Sequence, residues 1–149
     1  MSAPLPDIAS RADIERLVDR FYRVAMADPL IGYLFTDVAH LDLDKHRPVI
    51  TSFWETLLLD AGTYGGGAFG VHYALHQKSP LQAGHFARWV VLWTDAVHEL
   101  FDGPVATAAV AHGARIAAAF QRRLEHPELD PLIDGPLLQI TRVERADGR

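Results

Sequence analysis

The chain has 149 residues, 49% of them apolar, which suits one compact domain able to bury a sizeable core without covalent staples. Its formal charge of -5 comes with no basic run, which disfavours a nucleic-acid groove or an anionic membrane surface as partner. The absence of cysteine excludes disulfides, thiolate zinc sites, iron–sulfur clusters, cysteine nucleophiles and any cysteine-ligated or cysteine-attached haem. No stretch has the roughly 18 consecutive apolar residues of a membrane span. MSAPLPDIAS lacks the charged and apolar regions of a signal peptide, so a cytoplasmic chain is expected. Any metal must then use histidine, carboxylate, tyrosine or methionine, and the eight histidines are the obvious candidates.

The first helix is expected to start near Arg11, where Ser10 and Asp13 can cap the free N–H groups of the first turn. Ile14, Leu17, Val18, Phe21, Tyr22 and Ala25 recur at the spacing of one helical face, and Pro29 limits the helix at about Asp28. Tyr22 therefore points inward, either as a core tyrosine whose hydroxyl finds a backbone partner or as a group facing a ligand. PLIGYLF reads as a turn or short helix that sets Phe35 beside the core, and TDVAHLD as a polar loop.

A second helix is predicted from about Asp44 to Asp60, with Pro48 tolerated in the first turn because N–H groups there lack intrahelical partners. His46, Val49, Ile50, Phe53, Trp54, Leu57 and Leu58 make up its apolar stripe. His46 is first in that stripe, either at the lip of a pocket or simply half-exposed at a helix start. DAGTYGGGAFG follows with five glycines between Gly62 and Gly70. No G-K-[ST], no G-x-G-x-x-G and no preceding strand accompany it, so it reads as a flexible connector rather than a phosphate loop.

His72 and His76 come next, four residues apart, so one helical face can present both. A histidine on an apolar face is either a satisfied core residue or a ligand. Ser79, Pro80 and Gln82 predict a helix start with serine as cap and proline in the first position, running to about Phe101. Phe86, Trp89, Val90, Trp93, Val97 and Leu100 line one face, and burial obliges the Trp89 indole N–H to find an acceptor. After Asp102-Gly103-Pro104, the positions Val105, Ala109, His112, Ile116 and Phe120 mark a last helix to about Leu124. No segment alternates as a strand does, and the predicted class is all-α. Residues 1–126 form the expected domain. Residues 127–149, rich in proline and without a period, form an extended or disordered extension.

FYRVAMADPLIGYLF, KHRPVITSFWETLL, YGGGAFGVHYAL and HFARW followed by RIAAAF resemble, in order and spacing, the truncated haemoglobins of group III. The resemblance runs from about Asp13 to Leu124. It implies a truncated (2-on-2) globin-like helical sandwich around haem b, with His72 as proximal iron ligand. It further implies Tyr22, His46, Ile50 and Trp89 on the distal, ligand-binding side, and Phe35, Phe53, Trp54 and Phe86 around the porphyrin. Where the family commonly has a Leu-Pro step after the proximal histidine, this chain runs on to Ser79-Pro80 and carries His76, a rival for the iron.

The function so implied is reversible binding of O2, NO or CO. NO dioxygenase or peroxidase-like turnover would add a separate reductase as partner, since no flavin or nicotinamide fingerprint is present. A non-haem histidine metal protein and a cofactor-free helical interaction module are the alternatives. Paired Glu-x-x-His motifs, which a di-iron bundle would want, do not occur.

Overall fold

The computed structural model describes residues 4–66 and 68–126, with residues 68–71 as helical backbone only. Five α-helices follow in order: α1 (Arg11–Met26), α2 (Leu43–Leu59), α3 (Ala68–Lys78), α4 (Ala83–Leu100) and α5 (Pro104–Glu125). A short π-helix, Leu34–Val38, separates α1 from α2, and no strand occurs among the described residues. The predicted extension after residue 126 lies outside them.

The first helix begins where its capping residues predict. The Ser10 Oγ accepts the Asp13 N–H at 3.3 Å, and the Asp13 carboxylate reaches back to accept the Ala9 N–H at 2.9 Å. Ile14, Leu17, Val18, Phe21 and Ala25 are buried, as the apolar period requires. Beyond Met26 the chain turns on Asp28, whose Oδ2 accepts the N–H groups of Leu30 and Ile31 at 2.9 and 3.1 Å. Gly32 is required here, because a Cβ would stand 2.6 Å from the Met26 carbonyl oxygen.

Thr36–Val38, expected to open a polar loop, is instead wound into the π-helix, closed by the Ala39 N–H on the Leu34 carbonyl at 2.9 Å. The wide turn buries Leu34 and packs Phe35 and Val38 on the core, which repays the poorer backbone geometry.

Two expectations for α2 need correction. Asp42 caps the helix, its Oδ1 accepting the Lys45 N–H at 3.3 Å, so the helix starts at Leu43 and Pro48 falls in the second turn rather than the first. The missing N–H therefore interrupts the intrahelical ladder, and the Pro48 carbonyl accepts from Arg11 at 3.1 Å. The buried face also differs from the apolar stripe. Thr51, Phe53, Trp54 and Thr56 are buried, whereas Val49 is 55% exposed and His46 is exposed. Thr56 is inside because its hydroxyl accepts the N–H groups of Thr63 and Tyr64, each at 3.1 Å, and so pins the connector that follows. That connector is more than slack chain: Tyr64 is buried edge-on against Phe53 with centroids 5.0 Å apart, between Gly62 and Gly66, both at positive φ.

The predicted start of α4 at Ser79-Pro80 is also revised. The Ser79 N–H donates to Leu75 and closes α3, and Gln82 caps α4, with His85 as the reciprocating residue. In α5 the buried positions are Ala106, Ala109, Gly113, Ala117, Phe120, Arg123 and Leu124, while Val105, His112 and Ile116 are half-buried. The shift follows from Trp93. A Cβ on Gly113 would lie 2.5 Å from its Cδ1, so the small residues of α5 must face the indole. Asp7 crosses from the N-terminus to accept the Val105 and Ala106 N–H groups at 3.0 and 2.8 Å, which seats the start of α5.

Helix α1 packs on α2, α4 on α5, and α1 against α4, so two helix pairs lie one over the other. The shared core contains Phe21, Trp54, Trp93, Val97, Phe101 and Phe120.

Candidate functional site

Tyr22 stands at the margin of this core, edge-on to Phe21 at 4.9 Å and to Phe35 at 5.6 Å. Its side chain keeps some solvent exposure, yet burial of the hydroxyl pushes its pKa up to about 12. That combination belongs to a group facing a recess rather than an open surface. The hydroxyl has no hydrogen-bond partner among the described residues.

Trp89 lies on the other side of Phe21, edge-on at 5.5 Å, and stacks on Trp93 at 5.7 Å with only 9° between the ring planes. Trp93 in turn stacks on Trp54 at 4.2 Å, so the three tryptophans form one column. The Trp93 Nε1–H donates to the Ala109 carbonyl at 3.0 Å. The Trp89 N–H, expected to find an acceptor inside, takes none among the described residues. Two donors thus adjoin one phenylalanine without an acceptor among the described residues. Both residues are half-buried, so these donors stand where a ligand that accepts a hydrogen bond can meet them.

His72 is half-buried on α3, its ring 4.9 Å from that of Phe120. Helix α3 packs on α5 and on the π-helix that carries Phe35, and Phe35 touches Tyr22. His76 is committed elsewhere: its Nδ1 accepts the Leu81 N–H at 2.9 Å. A neutral imidazole that accepts at Nδ1 carries its proton on Nε2, so neither nitrogen offers a metal a free lone pair. His46 is exposed in the first turn of α2, and its ring makes no hydrogen bond or ion pair among the described residues. Ile50 and Phe86 are half-buried at the core's edge. Phe53 and Trp54 are core residues at 8% and 4% exposure, engaged by Tyr64 and Trp93 respectively. Among the described residues no group of three or more His, Asp or Glu is placed to hold a metal ion.

Two surface clefts, of about 190 and 220 Å³, flank Pro48 on α2 and include none of these donors. In the second, Arg11 is bound by Glu55 at 2.7 Å and Arg47 by Asp19 and Asp44 at 3.0 Å each, so its cations are already neutralised. Sequence reasoning did not assign Phe21 to the site, although it separates both donors. The signal available was its place next to Tyr22 on the same inward face.

Two helix pairs with a short glycine-rich lead into α3 define the truncated globin fold. A crystal structure of group III truncated haemoglobin from Campylobacter jejuni shares it, with a TM-score of 0.69 and 22% identity, over 78% of this chain and 92% of that one. The group 3 truncated haemoglobin of Campylobacter jejuni subsp. jejuni serotype O:2 is 23% identical over 118 residues, covering 77% of this chain and 91% of its own. No family model matches the chain.

Proposed function

We propose that the protein is a haem-binding globin of the group III truncated haemoglobin family that reversibly takes up O2 or another diatomic ligand. The observation that carries this reading is the pair of donors, Tyr22 O–H and Trp89 N–H, that both adjoin Phe21 and take no acceptor among the described residues, in a fold of truncated globin type. The residues fit haem b in their chemistry. His72 would hold the iron through a neutral imidazole and Phe35 would pack on the porphyrin; the bond from the Leu81 N–H to the His76 Nδ1 favours His72 over that rival. When bound, haem supplies an open axial position for a diatomic ligand. The chain's own contribution is to aim dipoles and exclude water. Tyr22 and Trp89 donate to an acceptor whose negative charge grows on binding, and such charge-assisted bonds are the strong ones. His46, exposed at the start of α2, is suited to swing at the entrance rather than to hold the ligand from within. Turnover of NO or peroxide would draw electrons from a separate reductase, because the chain carries no flavin or nicotinamide fingerprint.

The test is spectroscopic. Purified chain titrated with haem is expected to give a Soret band saturating at one equivalent, and a five-coordinate ferrous histidine spectrum that His72→Gly loses and His76→Gly keeps. Absence of stoichiometric uptake sinks the proposal. The reverse pattern in the two variants moves the axial ligand to His76.

A further inference from the structure

The turn between α3 and α4 carries an arrangement that this function leaves unused. Its successive backbone N–H groups, Leu81 and Gln82, each donate to a histidine Nδ1, Leu81 to His76 at 2.9 Å and Gln82 to His85 at 3.0 Å. One ring comes from α3 and the other from α4. Free N–H groups near a helix start usually go to hydroxyl or carboxylate oxygens, which keep accepting throughout the neutral range. Imidazole differs, because Nδ1 accepts only while the ring is neutral with its proton on Nε2. In that tautomer the His85 Nε2–H lies 3.2 Å from the Tyr33 hydroxyl oxygen and can donate to it. Protonation sets N–H against N–H at Nδ1 and removes the acceptor.

We infer that His76 and His85 form a proton-operated latch on the Leu81–Gln82 turn, closed while both rings are neutral and opened when they take up a proton. The surroundings do not oppose it. Tyr33 is the titratable group that meets His85, and neither ring has an ion-pair partner among the described residues to hold its charged form in place. Lys78 and Arg88 are the nearest cations along the two helices, and Arg88 is taken up by Asp28 at 2.7 Å. From α5, packed on both helices, His112 and Arg115 engage each other at 2.9 Å, and from the π-helix Asp37 accepts from Thr36. His76 lies one turn beyond His72, and His85 one turn before Trp89. The latch therefore ties together the helix ends that carry the proposed axial ligand and one proposed donor, and only this consequence rests on the haem reading.

The experiment is amide hydrogen exchange by NMR on the full chain at pH 8 and pH 5.5, corrected for intrinsic rates. Protection of the Leu81 and Gln82 amides is expected to fall about five- to tenfold at the lower pH. The Phe101 amide, bonded to the Val97 carbonyl at 2.8 Å, should hold steady. His76→Phe should abolish the fall at Leu81, and His85→Phe the fall at Gln82. Equal protection of both amides at the two pH values overturns the latch, as does a fall that persists in both variants. Should a variant not fold, ring 15N shifts of the parent at pH 8 decide: the Nε2–H tautomer for both rings supports the latch, and Nδ1–H in either refutes it. A chain that takes up no haem yet shows this pH dependence keeps the latch and loses only the haem reading.

Discussion

Trp89 and Trp93 sit one turn apart on α4 with nearly parallel rings, yet one indole N–H is satisfied and the other takes no acceptor among the described residues. Around Trp93 every group has its place. Its nitrogen donates to Ala109, its faces stack on Trp54 and Trp89, and Gly113 leaves the space its edge needs. Trp89 and Tyr22 are half-buried at the margin of the core, and their donors take no acceptor among the described residues. Helix α4 thus has a sealed half that determines stability and an open half that costs stability and is available for binding. Unmade hydrogen bonds in a folded protein persist where something else is meant to complete them.

Substitutions should separate the two halves by what they change. The largest effect on stability is expected at Trp93, where alanine leaves a cavity in the column and strands the Ala109 carbonyl. Denaturant unfolding should show a loss of about 3–5 kcal/mol. Gly113→Ala, which overpacks the same indole, should cost about 1–3 kcal/mol. Trp89→Phe should cost no more than about 1 kcal/mol, because it breaks no hydrogen bond within the protein. If Trp89→Phe destabilises as much as Trp93→Ala, the open half is structural after all.

The open half should answer instead in ligand kinetics. A hydrogen bond to a partly charged acceptor contributes roughly 1.5–3 kcal/mol, so Tyr22→Phe or Trp89→Phe should raise the O2 off-rate about 10-fold to 100-fold by stopped-flow. CO, which carries little negative charge, should change far less. Either donor can stand in for the other, so the double variant is the decisive one. Release of O2 at the parent rate from that variant would move the distal donors elsewhere.

A smaller effect with a pH signature is expected at the corner joining the two halves. The Arg88 guanidinium, bonded to Asp28 at 2.7 and 3.0 Å, holds that carboxyl below the usual range against the opposing effect of burial, and the Leu30 and Ile31 N–H groups act in the same direction. With the folded pKa depressed, the unfolded chain takes up this proton first as pH falls. The contribution is thus complete above the ordinary carboxylate pKa and disappears as pH drops through the lower folded value. Asp28→Ala should cost roughly 1–3 kcal/mol at pH 7, and the gap to the parent should close progressively below pH 4. A gap that stays constant down to pH 2 would mean that the charge of Asp28 contributes nothing.

Much of α1 could be read directly from the residues, because its cap and its apolar face are both local. Ser10 and Asp13 lie within one turn, and Ile14, Leu17, Val18 and Phe21 needed only a helix to share a side. That Tyr22 and Trp89 pack against the core was legible for the same reason. The errors fell where a partner distant in sequence decides. Val49 has the right spacing for the stripe of α2 but faces out, while Thr56 is buried by N–H groups from Thr63 and Tyr64. Ser79-Pro80 has the composition of a helix start, but Leu75 claims the serine N–H and two histidines claim the next two.

By itself the sequence determined an all-α chain, the order of its helices, the exclusion of cysteine chemistry, and the inward side of α1, because helical period and composition are local properties; on α4 it missed the buried Leu92 and Ala96. Tertiary structure alone decided which tryptophan keeps its donor free. Both indoles satisfy the same period, but only Trp93 lies against the small residues of α5, where the Ala109 carbonyl comes within reach of its nitrogen. It likewise gave His76 a partner: its Nδ1 accepts the Leu81 N–H, from a turn whose position no local pattern records.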